Sequence, residues 1–289
     1  MAVDNIPSVM SKFADDTKWG KVVEDEADKK DFQDGLNNLM EWSKNWQMEF
    51  NVDKCHIMHI GSRNKEFNYS MGSQELQTSE FEKDIGVLIQ PSLRPSLQCA
   101  KAAKTANAVL GQISRAVSYR DKETFLKLFR TYVRPHLEYC VAAWSPWTQG
   151  DKDVLENVQK RAIKMVTNFK GRTYEEKLAE AGMVTLEARR RRGDLIQAFR
   201  VFNGVDNVDP DIWFNTGEAR RGATETRQTR GSMNVTRGDG RLDIRRNFWS
   251  QRVTDPWNNL PNEVKEAETL NIFKNGLDNH LSKVTRGQR

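Results

Sequence analysis

Apolar and polar positions near the start of the chain predict a hairpin followed by a helix. Residues 12–14 and 19–23 both have strand character, and Asp15 and Asp16 between them are typical turn residues. Residues 28–46 then repeat apolar side chains at the spacing of one helical face, with acidic residues in the first turn. We therefore expect the two carboxylates at the tip of a hairpin, either as an ordinary solvated turn or as part of a metal site.

Further strands and then a long helical region are predicted downstream. A polar turn at residues 51–54 leads into an alternating stretch that ends near residue 61, and residues 67–71 and 84–89 also have strand character. Helices are predicted over residues 97–116, 122–139, 151–167, 174–181, 185–202 and 267–281. The expected fold class is α+β: a partial antiparallel sheet with a helix in the N-terminal third, then a mainly α-helical region and a small C-terminal unit.

This pattern divides the chain into four predicted parts, at residues 1–92, 93–203, 204–247 and 248–289. The third part is the least regular, because residues 216–246 contain eight arginines, no lysine and four acidic residues, with repeated Gly, Thr and Asn. Arginine without lysine favours bidentate contacts with phosphate. Two interpretations stay open: a hairpin of residues 231–235 and 241–244, or a flexible linker that folds on nucleic acid.

Charge divides the chain more sharply than its net value of +5 suggests. Residues 1–89 contain 10 Lys and Arg against 17 Asp and Glu, whereas residues 90–289 contain 35 against 23. The first part is therefore at −7 and the second at +12. A basic surface over the second part is typical of proteins that bind phosphate backbones, although solvated helix faces also produce it.

Cysteine spacing and hydropathy indicate a reducing, intracellular environment. Cys55, Cys99 and Cys140 lie far apart and form no Cys-x-x-Cys pair, which fits neither a disulfide framework nor a zinc site. The chain does not open with a basic segment and an apolar run, and no window approaches about 18 uninterrupted apolar residues. We expect a nuclear or cytoplasmic protein with no signal peptide, membrane span or membrane partner.

Five sequence blocks between residues 11 and 281 carry a family resemblance. They are FADDTK, LNNLMEWSKNWQMEFNVDKCHIMHIG, EKDIGVLI, YVRPHLEYCVAAWSPW and NFWSQRVTDPWNNLPNEVKEAETLNIFKNGLDNHL. In this order they resemble the C-terminal part of a non-LTR (LINE-type) retrotransposon reverse transcriptase: the end of the palm, the thumb and the post-thumb region. Five blocks in the expected order are far more specific than any one of them.

The resemblance implies a function and a set of site residues. Asp15 corresponds to the principal ligand of catalytic Mg²⁺ and Asp16 to a supporting one, while Lys54 corresponds to the palm-loop lysine that protonates or stabilises the pyrophosphate leaving group. Residues 82–89 resemble the primer-grip hairpin. The implied partner is an RNA–DNA primer-template, for which the candidate contacts in the helical region are Lys101, Lys104, Arg115, Arg189, Arg190, Arg191 and Arg192.

The chain also departs from the family pattern. A working palm needs a third carboxylate from an earlier strand and the fingers, and the ten residues before Ser11 leave no room for them. We therefore expect a truncated polymerase that is inactive alone, and a chain that supplies the missing palm and fingers is one candidate partner. The alternative is a nucleic-acid-binding remnant or a domesticated interaction protein without catalysis. Trp144 and Trp147, beside an apolar run, are interpreted as core residues rather than base-stacking platforms.

Overall fold

The computed structural model describes residues 8–214, 234–238 and 240–287. The chain divides into two compact units, Met1–Leu93 and Arg94–Arg289. The first contains the strands and one long helix, and the second is helical throughout its described regular elements. The predicted α+β class is confirmed, whereas the further boundaries at residues 203 and 247 stay predictions.

The first unit is built from one helix and short strands. In chain order its elements are β1 (Ser8–Phe13), β2 (Asp16–Lys21), α1 (Glu26–Asn45), β3 (His56–Ile57), β4 (Ser70–Met71), β5 (Gln74–Glu75), β6 (Gln77–Thr78), β7 (Glu82–Asp84) and β8 (Val87–Ile89). Within the described residues the strands form four separate two-stranded ladders. Three of these ladders are antiparallel, and the pairing of β3 with β6 is parallel. The sheet is therefore a set of small ladders rather than one continuous surface.

Helix α1 organises the core of this unit. Asp25 caps its N-terminus by accepting a hydrogen bond from the Asp28 backbone N–H at 2.9 Å, which satisfies one of the donors that a helix start leaves open. Its apolar face buries Phe32 and Leu36 in a cluster with residues of the region after the helix, namely Tyr69, Met71 and Leu76. The helix thus follows from its capping residue and its apolar spacing, as the sequence predicts.

The second unit is an assembly of helices. They are α2 (Ser96–Ala116), α3 (Lys122–Leu128), α4 (Arg134–Glu138), α5 (Val141–Trp144), α6 (Gln149–Lys164), α7 (Tyr174–Glu180), α8 (Leu186–Phe202), α9 (Pro210–Trp213), α10 (Asp243–Arg246), α11 (Trp249–Arg252), α12 (Thr254–Asn258), α13 (Asn262–Lys265) and α14 (Leu270–Gly287). Five of the six helices predicted from periodicity are present, with ends within six residues of the predicted ones, and the sixth, predicted over residues 122–139, is divided into segments.

A proline explains the break in that helix. A short π-helix, Phe129–Val133, lies between α3 and α4, and Pro135 occupies the first turn of α4. Proline has no N–H to donate and its ring clashes with the carbonyl one turn earlier, so the helix widens ahead of it. The wider turn lets the Arg134 N–H donate to the Phe129 carbonyl, five residues back.

The C-terminal aromatic block shares a core with α8. Phe199 of α8 stacks on Phe273 of α14 with ring centroids 4.2 Å apart, and both are buried. Val235 and Trp257 belong to the same buried cluster. The core therefore joins residues that lie on both sides of the predicted linker over residues 204–247.

The predicted hairpin over residues 231–244 is wrong in its second arm. Asp243–Arg246 is a helical turn, because the Arg246 guanidinium donates to the Gly240 carbonyl at 2.9 Å and the Asn247 amide donates to the Asp243 carbonyl at 2.8 Å. These side-chain bonds to the backbone stabilise a turn instead of a strand. Residues 215–233 and 239, including most of the first arm and the linker alternative, lie outside the described residues.

Candidate metal centre and nucleic-acid interface

The predicted acidic hairpin is present. Phe13 pairs with Asp16 across β1 and β2, which leaves Ala14 and Asp15 as a two-residue loop. Ala14 has a φ of 52°, a left-handed conformation that residues with a Cβ adopt only where a tight turn requires it. The sharp turn therefore includes Asp15, and Asp16 is at the first position of β2.

Both aspartate side chains are available to a ligand. Asp15 and Asp16 are exposed, and neither carboxylate has a hydrogen bond or ion pair with another described residue. Carboxylate oxygens are the hard ligands that Mg²⁺ prefers. Two neighbouring carboxylates fit part of a magnesium shell, since this ion usually keeps several waters. Among the described residues no group of three or more His, Cys, Asp or Glu side chains could hold a metal.

The hairpin is anchored on α1 by a tryptophan. The Trp19 ring lies 4.5 Å from the Phe32 ring, which in turn meets the Tyr69 ring edge-on at 4.9 Å. The Trp19 ring also occupies the place where a side chain at Gly35 would begin, because a Cβ there would lie 1.9 Å from Trp19 Cη2. Lys21, which is almost buried, pairs with Asp31 of α1 at the far end of β2. The loop that bears the aspartates is thus carried by a strand fixed on a helix.

A second hairpin is linked to the first by one ion pair. Strands β7 and β8 are joined by Ile85 and Gly86, whose φ values of 42° and 83° match the turn that needs two left-handed residues. A β-branched residue in this conformation is a true outlier, and such strain is concentrated at functional positions. An ion pair between Lys18 of β2 and Asp84 of β7 joins the two hairpins. The segments that resemble the catalytic box and the primer grip are therefore neighbours.

Lys54 is in the predicted turn but is not brought onto the aspartates. It is the last residue of a short 3-10 helix, Val52–Lys54, and is exposed. No ion pair links it to Asp15 or Asp16. Its role at the leaving group stays a prediction.

The four consecutive arginines of α8 have different environments. Arg189 makes a two-pronged ion pair with Glu138, and Arg192 makes one with Asp278 at 2.5 and 2.9 Å. Arg190 is buried and Arg191 is exposed. Two of the four are therefore occupied by acids of the same chain. On α2, Lys104 and Arg115 are exposed and Lys101 is half-buried.

A second basic surface was not predicted from the sequence. It is a shallow groove of about 470 Å³, which we call the basic groove, and its cationic lining residues are Arg120, Arg161, Lys164 and Lys170. Arg161, Lys164 and Lys170 are exposed and have no ion pair with another described residue, and no acidic side chain lines the groove. The signal in the sequence was the run KRAIKMVTNFKGR, which places basic residues through the end of α6 and the segment after it.

Trp144 and Trp147 differ in how deeply they are buried. Trp144 is buried, and its indole N–H donates to the Tyr139 carbonyl at 2.8 Å, so its predicted core role is confirmed. Trp147 is half-buried and lines a pocket of the second unit. Trp147 therefore lies only partly in the core that was predicted for it.

No protein-family model, curated protein or solved structure matches this chain. Within residues 8–214, 234–238 and 240–287, no helix combines the length and the apolar character needed to cross a membrane. The fold and the two surfaces define an α+β chain that has an exposed acidic hairpin in one unit and an exposed basic groove in the other.

Proposed function

We propose that this chain forms part of the palm and the thumb of an RNA-directed DNA polymerase of the non-LTR retrotransposon type. The observation that carries the proposal is the acidic hairpin: Asp15 and Asp16 are adjacent, exposed and unpaired, on a tight loop whose strand is fixed on α1. Ordinary surface turns also contain two adjacent aspartates. Here, however, the hairpin is tied by the Lys18–Asp84 ion pair to the segment that resembles the primer grip.

The proposed chemistry assigns a role to each predicted site residue. In template-directed polymerisation a primer 3′-hydroxyl attacks a phosphoryl group in line, and carboxylate-bound Mg²⁺ stabilises the entering and leaving oxygens. Asp15 and Asp16 would hold that ion. Lys54 would donate a proton or its positive charge to the departing pyrophosphate.

The site as described supplies only part of the ligand shell. A third carboxylate beside Asp15 and Asp16 is not found among the described residues. The proposal therefore assigns the remaining ligand and the fingers to another segment or chain, and we expect no primer extension by residues 1–289 alone. We expect primer extension only when the segment or chain with the remaining ligand and the fingers is added.

The basic groove would bind the phosphates of the primer-template. Its three exposed cations have no acidic partner, so contact with nucleic acid would release counterions without breaking an internal ion pair. This observation also favours the second candidate function, in which the chain binds nucleic acid and has no catalytic role.

Metal binding tests the catalytic part of the proposal without requiring activity. Mn²⁺ takes the same hard ligands as Mg²⁺. It is titrated into the purified chain, and the concentration of unbound Mn²⁺ is followed by its electron paramagnetic resonance signal. We expect Asp15→Asn to weaken the binding and Asp34→Asn, a change at an exposed position of α1 with no partner, to leave it unchanged. Equal binding by both variants would remove the metal role and leave the second candidate.

Nucleic-acid binding is tested on an RNA–DNA primer-template at several salt concentrations. We expect affinity to fall steeply with salt, and the slope of log K against log salt to decrease by about one for each groove cation changed to Gln. The relevant variants are Arg161→Gln, Lys164→Gln and Lys170→Gln. An affinity that none of them changes would show that the groove is not the binding surface. Primer extension with Mg²⁺ in the same samples completes the test, since extension by the chain alone would refute the incomplete site.

A further inference from the structure

The second unit contains a pocket with a surplus of positive charge. Its volume is about 210 Å³, and it lies between the start of α8, the segment around Trp147 and the α11–α12 region. The charged residues that line it are Lys152, Glu187, Arg190, Arg191, Asp194 and Arg252. Four cations face two acids, so the lining carries a net charge of +2.

Both acids of the pocket are already occupied. Glu187 accepts a hydrogen bond from Lys152 at 2.5 Å, and Asp194 accepts two from Arg252, at 2.8 and 2.9 Å. The other donors of Arg252 bind the carbonyls of Ala142 and Asn247. Arg190 and Arg191 are therefore the two cations of the pocket without an acidic partner.

Arg190 is in an unusual state for a buried cation. Only 4% of its surface is exposed, and both terminal guanidinium nitrogens are buried without a hydrogen-bond partner among the described residues. Glu156, Glu187 and Asp194 are near enough to act on it electrostatically, but each of these acids already accepts hydrogen bonds from other groups, in the case of Glu156 from the Tyr174 hydroxyl and the Leu186 N–H. Burial lowers the pKa of the Arg190 guanidinium, in the direction expected for a charge removed from water. A buried charge without a partner is costly and calls for a ligand.

We propose that this pocket binds a phosphomonoester, as in a nucleoside monophosphate or the 5′-phosphate end of a nucleic-acid strand. The guanidinium fork of arginine matches a phosphate in shape and charge, and Arg190 and Arg191 would be its ligands. A phosphomonoester carries a charge close to −2 at neutral pH, which balances the pocket, whereas a phosphodiester or a carboxylate carries only −1.

The rest of the pocket fits the remainder of a nucleotide. Trp147, Pro146 and Pro256 line it with apolar surface against which a base or sugar can pack. The volume corresponds to roughly seven water molecules at about 30 Å³ each, which leaves room beyond a single phosphate. Arg190 and Arg191 also belong to the predicted nucleic-acid contacts, but the pocket requires neither the acidic hairpin nor the basic groove, so the inference stands without the proposed function.

Calorimetric titration of the full chain with AMP, inorganic phosphate and adenosine tests the chemistry. We expect AMP to bind at one site, inorganic phosphate to bind more weakly at the same site in competition with AMP, and adenosine to show no binding. An adenosine affinity equal to that of AMP would overturn the inference, as would a lack of AMP binding.

A pair of oligonucleotides then separates the two sources of the phosphate. Single strands of one sequence, with either a 5′-phosphate or a 5′-hydroxyl, compete against AMP. Selective displacement of AMP by the phosphorylated strand identifies a strand end as the ligand. Failure of both strands to compete identifies a free nucleotide. Equal competition by both strands would show that the pocket binds the phosphodiesters of the backbone and not the 5′-phosphate, which contradicts the inference.

Three variants assign the binding to the two arginines. We expect Arg191→Gln to weaken AMP binding by about tenfold or more, the loss typical of one charge-assisted hydrogen bond to phosphate. Arg63→Gln makes the same change of charge at an exposed position of the first unit and should have no effect. Arg190→Met should abolish binding and at the same time raise the melting temperature of the ligand-free chain, because it removes a buried charge without a partner. Should Arg190→Met fail to fold, Arg191→Gln decides alone, and unchanged AMP affinity in it refutes the site.

Discussion

Adding one methyl group at Gly35 should destabilise the first unit, although it improves the helix. Alanine is favoured over glycine inside a helix by about 1 kcal/mol, so Gly35→Ala at an open position would be stabilising. At Gly35 the new Cβ would lie 1.9, 2.7 and 2.9 Å from three ring carbons of Trp19. The ring packs on Phe32, so a movement away from the new Cβ would disturb that contact. Overpacking of this kind costs about 1–3 kcal/mol, and after subtraction of the gain in helix propensity we expect a net loss of up to about 2 kcal/mol.

The assay is urea unfolding of the full chain, with hydrogen exchange of the α1 amides to assign the change to the first unit. Gly193→Ala is the matched control, because it also lies inside a helix but a Cβ there meets nothing within 4 Å. We expect the control to be neutral or stabilising. Since Trp19 fixes the strand that bears Asp16, Gly35→Ala should also weaken Mn²⁺ binding by the hairpin. A Gly35→Ala variant as stable as Gly193→Ala would refute the packing argument.

Two further changes probe the second unit. Arg252→Gln leaves the buried Asp194 carboxylate without its cation and should destabilise the unit by about 3–5 kcal/mol near neutral pH. Burial already raises the pKa of Asp194, and the loss of Arg252 raises this pKa further, so the carboxylate becomes protonated and neutral as the pH falls. In urea unfolding, the variant should therefore lose less stability at pH 5 than at pH 8. An equal loss of stability at both pH values would refute this account. Burial raises the pKa of the Cys99 thiol to about 12, whereas Cys140 is exposed. A thiol reagent at pH 8 should therefore label Cys140 in the folded chain and Cys99 only in denaturant. Peptide mass spectrometry identifies which cysteine is labelled.

The spacing of apolar residues along the chain predicted most helices and strands, but it did not predict which strands pair with one another. The span of α1 follows from its apolar spacing and its capping aspartate, both of which can be read along the chain. The strand at residues 55–61 reduces to His56–Ile57 because its ladder partner, β6, is itself only two residues long. Strand length depends on a partner distant in sequence, which periodicity does not report. The turn at residues 243–246 was missed for a similar reason, since side-chain hydrogen bonds decide it.

The arginine run of α8 shows the same limit at a functional surface. Helical geometry predicts that four consecutive arginines spread around the axis, and they do. Which of them is available to a ligand depends on acids far away in sequence, since Arg189 meets Glu138 and Arg192 meets Asp278. Those two ion pairs leave the middle residues of the run, and only tertiary packing makes Arg190 buried and unpaired. Charge counted along the sequence therefore overstates how many arginines of this run are available to a ligand, and the unpaired donors of Arg190 are the basis of the proposed phosphate site.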